Sequence, residues 1–168
     1  LISGPTAIEP PMFVNVIPII SAQEMFEKVA TNATENDIII KAAAVADYRP
    51  KEVCDEKIKK SDHDTEIELE RTTDILAYLG KNKGKTFLCG FSMETENMLE
   101  NSRRKLDKKN LDMIVANNLK DKGAGFGVDT NLITIITRDR ELQLELMSKQ
   151  DAANCILDEI IRKIGNRE

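Results

Sequence analysis

Short apolar runs alternating with capped amphipathic segments predict an α/β fold: a mostly parallel sheet with helices on both faces and a protruding antiparallel hairpin. Three observations carry that reading. Ile38-Ile39-Ile40 is the short, continuous apolar run expected of a strand buried on both faces. Ser21-Ala22-Gln23-Glu24 has the spacing of a capping box at the head of a helix. Glu56–Lys60 and Glu66–Arg71 alternate in polarity like the two arms of a hairpin.

Taken in order, Leu1 to Ser3 reads as the end of a strand entering a Pro-rich loop from Gly4-Pro5 to Pro10-Pro11. A strand is expected over Phe13–Ile20, then the capped helix to about Ala33, then the strand Ile38–Ala44. After the hairpin, Asp74 begins a short helix to about Asn82, Phe87–Phe91 is a strand, and Asn97 to about Lys109 is a helix. Asp112–Ala116, Leu132–Arg138 and Leu142–Met147 are read as strands, and Lys149–Ile164 as the closing helix.

One compact domain is expected from 168 residues with 41% hydrophobic and 32% charged content. No apolar run approaches the roughly 18 residues needed to cross a bilayer, and Leu1-Ile2-Ser3-Gly4-Pro5 lacks a basic signal-peptide start, so the expectation is a cytoplasmic protein away from membranes. Cys54, Cys89 and Cys155 are odd in number and far apart, which indicates reduced thiols rather than disulfides or a zinc site. His63, the only histidine, sits in a polar run and reads as a solvated turn. A net charge of −5 and 4% aromatic content argue against nucleic-acid binding. Basic residues nevertheless cluster at Lys57/Lys59/Lys60 and around Lys105 and Lys109, which suits a small anionic ligand.

The strand end Ala42-Ala43-Ala44, with Asp47 at its rim, lies where open α/β sheets bind ligands, and small side chains there leave room against the backbone. An alanine-rich strand end also suits close helix packing, and lysines beside an alternating segment also protect a sheet edge. The combination AAAVADYRP followed by EKIKK resembles the CTP-dependent bacterial phosphopantothenate-cysteine ligase domain of coenzyme A biosynthesis. Gly90-Phe91-Ser92-Met93-Glu94-Thr95, Lys109-Asn110-Leu111-Asp112, Val115-Ala116-Asn117-Asn118 and Gly125-Phe126-Gly127 are similar to further motifs of that family. The resemblance implies a Rossmann-like sheet, CTP and magnesium, phosphopantothenate and cysteine as substrates, and an acyl-cytidylate intermediate. It also implies a homodimer, with residues 56–71 as the dimerising element, and association with a phosphopantothenoylcysteine decarboxylase. Family members carry a βα segment ahead of the position of Leu1, so the chain reads as truncated relative to the full domain.

By the same resemblance, Lys57 is the catalytic lysine, acting in the second half-reaction. Nucleotide contacts are implied for Lys41, Ala42, Ala43, Asp47, Lys57, Thr73, Asp74, Ile75, Leu76, Phe91, Lys105 and Lys109. Asp47 is the candidate for a metal or a ribose hydroxyl. An extended segment puts Lys59 on the face of Lys57 and Lys60 on the other; Lys59 and Lys60 are possible phosphate contacts, and Gly125, Phe126 and Gly127 a possible flap. Lys105 and Lys109, spaced i, i+4, share one helix face, which fits either a solvated basic surface or one shared anion. Phe91 could pack on the base or fill the core. A noncatalytic dimerising fragment is the second reading. A nicotinamide oxidoreductase is a third, disfavoured because Gly123, Gly125 and Gly127 lack the spacing and position of a dinucleotide fingerprint.

Overall fold

The computed structural model describes residues 1–54, 56–57, 66–94, 96–118 and 127–165, and these form two compact units: the described residues of 1–31 with 43–75, and those of 32–42 with 76–165.

In the first unit, β1 (Ile2–Ser3) pairs in parallel with β2 (Ile17–Pro18). The strand expected over Phe13–Ile20 shrinks to these two residues. Phe13 sits at φ 63, a conformation a strand cannot contain, and its ring is fully exposed. Ser21 caps α1 (Ala22–Asn32): its Oγ accepts the Glu24 N–H at 3.1 Å. The Glu24 carboxylate reaches back to the Ile20 N–H at 2.8 Å, one residue beyond the capping-box partner.

Of the two expected hairpin arms, only part of the second is a described strand: β5 (Leu69–Arg71), which pairs antiparallel with β4 (Tyr48–Pro50). Glu56 and Lys57 are not in a strand, and residues 58–65 lie outside the described residues. Across the two strands Arg49 meets Glu70 at 2.7 Å, Lys51 meets Glu68 at 2.8 Å, and the Arg71 guanidinium lies 5.8 Å from the Tyr48 ring centroid.

The second unit is built on a five-stranded sheet in the order β10 (Glu141–Gln143), β9 (Ile133–Thr137), β7 (Met113–Asn118), β6 (Phe87–Glu94), β3 (Ile38–Lys41). β3, β6 and β7 are parallel, and β9 and β10 extend the sheet antiparallel. This is the Rossmann-like α/β class expected. A separate antiparallel pair joins β8 (Thr130–Asn131) to β11 (Met147–Ser148).

Side-chain alternation divides the sheet into two faces. Phe87, Cys89, Met113, Val115, Ile133 and Ile135 pack with Ala152, Ile156 and Ile160 of α4 (Lys149–Gly165). Leu88, Ile114 and Ile136, fully buried, point the other way, toward the side of α2 (Ile75–Asn82) and α3 (Met98–Lys108). On that face Gly90 lets Leu76 lie close against β6. β3 is not buried on both faces as expected: Ile38 and Ile40 are 40% and 41% exposed. The reason is its place at the edge of this unit's sheet, where it adds nothing to the α4-side core.

The turn from α3 to β7 is locked by polar contacts. Asn110, at φ 50, donates from Nδ2 to the Gly80 carbonyl at 2.9 Å. Asp112 Oδ2 accepts the Leu88 N–H at 2.8 Å and the Lys83 ammonium at 2.6 Å, tying the start of β6 to the start of β7. The Lys109-Asn110-Leu111-Asp112 motif therefore has a structural task at this corner. Burial, and secondarily the charge of Asp112, push the Cys89 thiol up to about 12, so it stays protonated and inert. Among the described residues, Cys54, Cys89 and Cys155 are all unpaired, and no helix is long and apolar enough to cross a membrane.

At Gly80 a Cβ would sit 1.7 Å from the Lys109 carbonyl oxygen. Gly80→Ala is therefore expected to destabilise the protein by about 1–3 kcal/mol, read as a lower urea midpoint with unchanged slope. A wild-type midpoint would contradict the close approach.

Candidate functional site

Strand register puts the polar end of β6 beyond its apolar start. β3 ends with Lys41 opposite Gly90, while β6 continues for four more residues to Glu94. On the α3 side of β6 the residues in order are Leu88, Gly90, Ser92 and Glu94, so the face changes from core to carboxylate at the carboxyl end of the parallel strands. That is the end at which open α/β sheets receive ligands.

Glu94 is the centre of a hydrogen-bonded group. Its Oε1 accepts from the Ser92 hydroxyl at 3.0 Å and the Lys105 ammonium at 2.6 Å, and its Oε2 accepts from Asn101 Nδ2 at 3.3 Å. Lys105 also reaches Ser92 Oγ at 3.4 Å. The Glu94 side chain is 16% exposed and that of Lys105 44% exposed, so the ion pair has a dry side and a wet side. Burial alone would raise the Glu94 pKa, but the Lys105 and Ser92 hydrogen bonds, the Lys105 charge and the Asn101 bond outweigh it and lower it.

Lys109 follows the last turn of α3, its N–H donating to the Lys105 carbonyl at 3.0 Å, which carries the i, i+4 relation with Lys105 through the helix end. Phe91 stands on the opposite face of β6 from Lys105, partly buried against the α4-side core. Ala42 and Ala43 leave β3 exposed.

In the first unit, Asp47 and Thr72 are brought together across 25 residues. The Thr72 N–H donates to the Asp47 carbonyl at 3.0 Å and the Thr72 hydroxyl to the Ala46 carbonyl at 2.6 Å. Asp47, Thr73 and Asp74 are exposed, whereas Ile75 and Leu76 are buried at 2% and 6% exposure and serve the core with their side chains. Lys57 is exposed. Lys59, Lys60, Gly125 and Phe126 lie outside the described residues, and Gly127 adopts a left-handed φ of 74.

Sequence reasoning passed over Ser92, Glu94 and Asn101 as site residues. The signal was present: Asn101 and Lys105 lie on one helix face by their i, i+4 spacing, and Ser92 and Glu94 on one strand face. Among the described residues, no group of three His, Cys, Asp or Glu could hold a metal ion. Asp47 alone could supply at most one carboxylate.

Residues 1–164 match the family described as DNA/pantothenate metabolism flavoprotein C-terminal domain. The chain is 48% identical over 162 residues to the coenzyme A biosynthesis bifunctional protein CoaBC of Bacillus subtilis, covering 95% of this chain and 40% of that protein. Identity to the protein of the same name from Haemophilus influenzae is 40% over 164 residues, covering 97% of this chain and 41% of that one. The chain thus spans about two-fifths of the length of these relatives. Its structure resembles the crystal structure of the C-terminal domain of a CoaBC protein at a TM-score of 0.82 and 40% identity, covering 98% of this chain and 74% of that one. A Cab2 mutant in complex with phosphopantothenate-cysteine shares the fold at a TM-score of 0.68 and 16% identity, over 88% of this chain and 52% of that one.

Because the folded-state pKa of Glu94 is depressed, its ionised form stabilises the protein above the unfolded value of about 4.3, and that stability is lost as pH falls through the folded value. Glu94→Gln is expected to be less stable than wild type at pH 7, with the difference shrinking below about pH 4 in urea unfolding. A pH-independent difference would contradict the role of the charge.

Proposed function

Because the chain belongs to the DNA/pantothenate metabolism flavoprotein C-terminal domain family, we propose that it is a ligase domain of coenzyme A biosynthesis, joining cysteine to phosphopantothenate with CTP. The observation that carries this reading is the Lys105 ammonium, held by Glu94 and Ser92 at the carboxyl end of the parallel strands. An ammonium has three donors; the two partners among the described residues use two of them, and a ligand oxygen would take the third. The identity of 48% to a coenzyme A biosynthesis bifunctional protein supports the pathway.

In this reading the phosphopantothenate carboxylate attacks the α-phosphorus of CTP, the α–β phosphoanhydride bond breaks, and pyrophosphate leaves. The amino group of cysteine then attacks the acyl carbon of the cytidylate, loses a proton to form the amide, and expels CMP. Cations near the phosphates stabilise the charge that develops on each leaving group. Lys105 and Lys109 bind the nucleotide, and Lys57 acts on the departing CMP in the second step. Lys41, Ala42 and Ala43 present backbone to the nucleotide, while Thr73 and Asp74 do so from the head of α2. Asp47 holds a ribose hydroxyl or the magnesium that enters with the triphosphate. Lys59 and Lys60 add phosphate contacts, and residues 125–127 close over the activated acid to exclude water. Homodimerisation through residues 56–71, association with the decarboxylase and a cytoplasmic location belong to the same reading.

Isothermal titration with CTP and ATP tests the nucleotide. Tighter binding of CTP is expected, and equal affinities would count against the assignment. Lys57→Gln is expected to lower nucleotide affinity modestly, within about tenfold, and amide formation far more. Unchanged product formation would remove Lys57 from the mechanism.

A further inference from the structure

We propose that Glu94 is a positioning residue of the nucleotide site, fixing the Lys105 ammonium where it meets the ligand; this rests on the nucleotide-binding reading of Lys105. Ser92 and Asn101 in turn fix Glu94. Three features of the geometry support the assignment.

A lysine side chain has four flexible methylenes and loses much rotamer freedom when immobilised. Lys105 is nearly half exposed, so packing alone does not set its position. The 2.6 Å bond to Glu94 does. The carboxylate is itself anchored at both oxygens, by the Ser92 hydroxyl at 3.0 Å and the Asn101 amide at 3.3 Å, and is largely buried. Its place is therefore set by the strand and the helix together, and the ammonium inherits it. Fixing a binding group before the ligand arrives lowers the ordering cost of binding.

The pairing also has a counterweight that makes the proposal testable. A carboxylate behind the ammonium subtracts one unit of positive charge from a site that receives an anion. If charge alone mattered, removing the carboxylate would improve nucleotide use. If placement matters, removal impairs it.

In the native full-length protein, amide formation is measured as a function of CTP and of cysteine for wild type, Glu94→Gln, Lys105→Ala and the double variant. Glu94→Gln is expected to lower kcat/KM for CTP about tenfold, with the KM for cysteine unchanged. In the Lys105→Ala background the same change is expected to have no further effect, because its partner is gone. Asn101→Ala, which removes one anchor and keeps the charge, is expected to lower kcat/KM for CTP about threefold and likewise to be silent without Lys105; it serves if Glu94→Gln does not fold.

A rise in kcat/KM for CTP in Glu94→Gln, or effects that add in full with Lys105→Ala, would overturn the proposal. A loss in Lys105→Ala with wild-type behaviour of Glu94→Gln would overturn the positioning role alone. Wild-type kcat/KM for CTP in Lys105→Ala would overturn the nucleotide-binding reading of Lys105 itself.

Discussion

The alternation of β6 is the constraint on which the second unit depends. One strand, bonded to β3 on one side and β7 on the other, supplies Phe87 and Cys89 to the α4-side core and Leu88 to the opposite one. The same strand then presents Ser92 and Glu94 to α3. A shift of one residue in its register would send the carboxylate into the apolar face and expose the core residues. Asp112 opposes such a shift: its side chain accepts the Leu88 N–H, and its own N–H donates to the Leu88 carbonyl at 3.0 Å.

From that strand the chemistry of the site follows by proximity. α3 crosses β6 so that Lys105 meets Ser92 and Glu94, and the close contact of Gly80 with the Lys109 carbonyl fixes the helix end. The same packing that excludes water from Leu106 and Leu111 therefore sets where the basic groups stand. Stability and placement are coupled here through a handful of backbone contacts.

Much of this was legible in the sequence where local chemistry decides. The Ser21 cap, the helix from Lys149 and the strands at Phe87 and Met113 all form where composition and spacing place them. Tertiary context decided the rest. Leu69–Arg71 pairs with Tyr48–Pro50, where Arg49–Glu70 and Lys51–Glu68 charge pairs cross between the strands, a partnership that alternation within a single segment does not reveal. Ile38-Ile39-Ile40 reads as doubly buried from its composition, but an edge position in this unit leaves Ile38 and Ile40 exposed. For the site, family motifs pointed to Lys105 and Lys109, yet the residues that hold Lys105 emerged only from the meeting of a strand face with a helix face.

A crystal structure of the native protein with CTP bound tests the central claim most directly. A phosphate oxygen is expected within hydrogen-bond distance of Lys105 Nζ, with the Lys105–Glu94 bond intact. Nucleotide bound away from the carboxyl end of β6, or Lys105 turned away from both Glu94 and the phosphates, would contradict it.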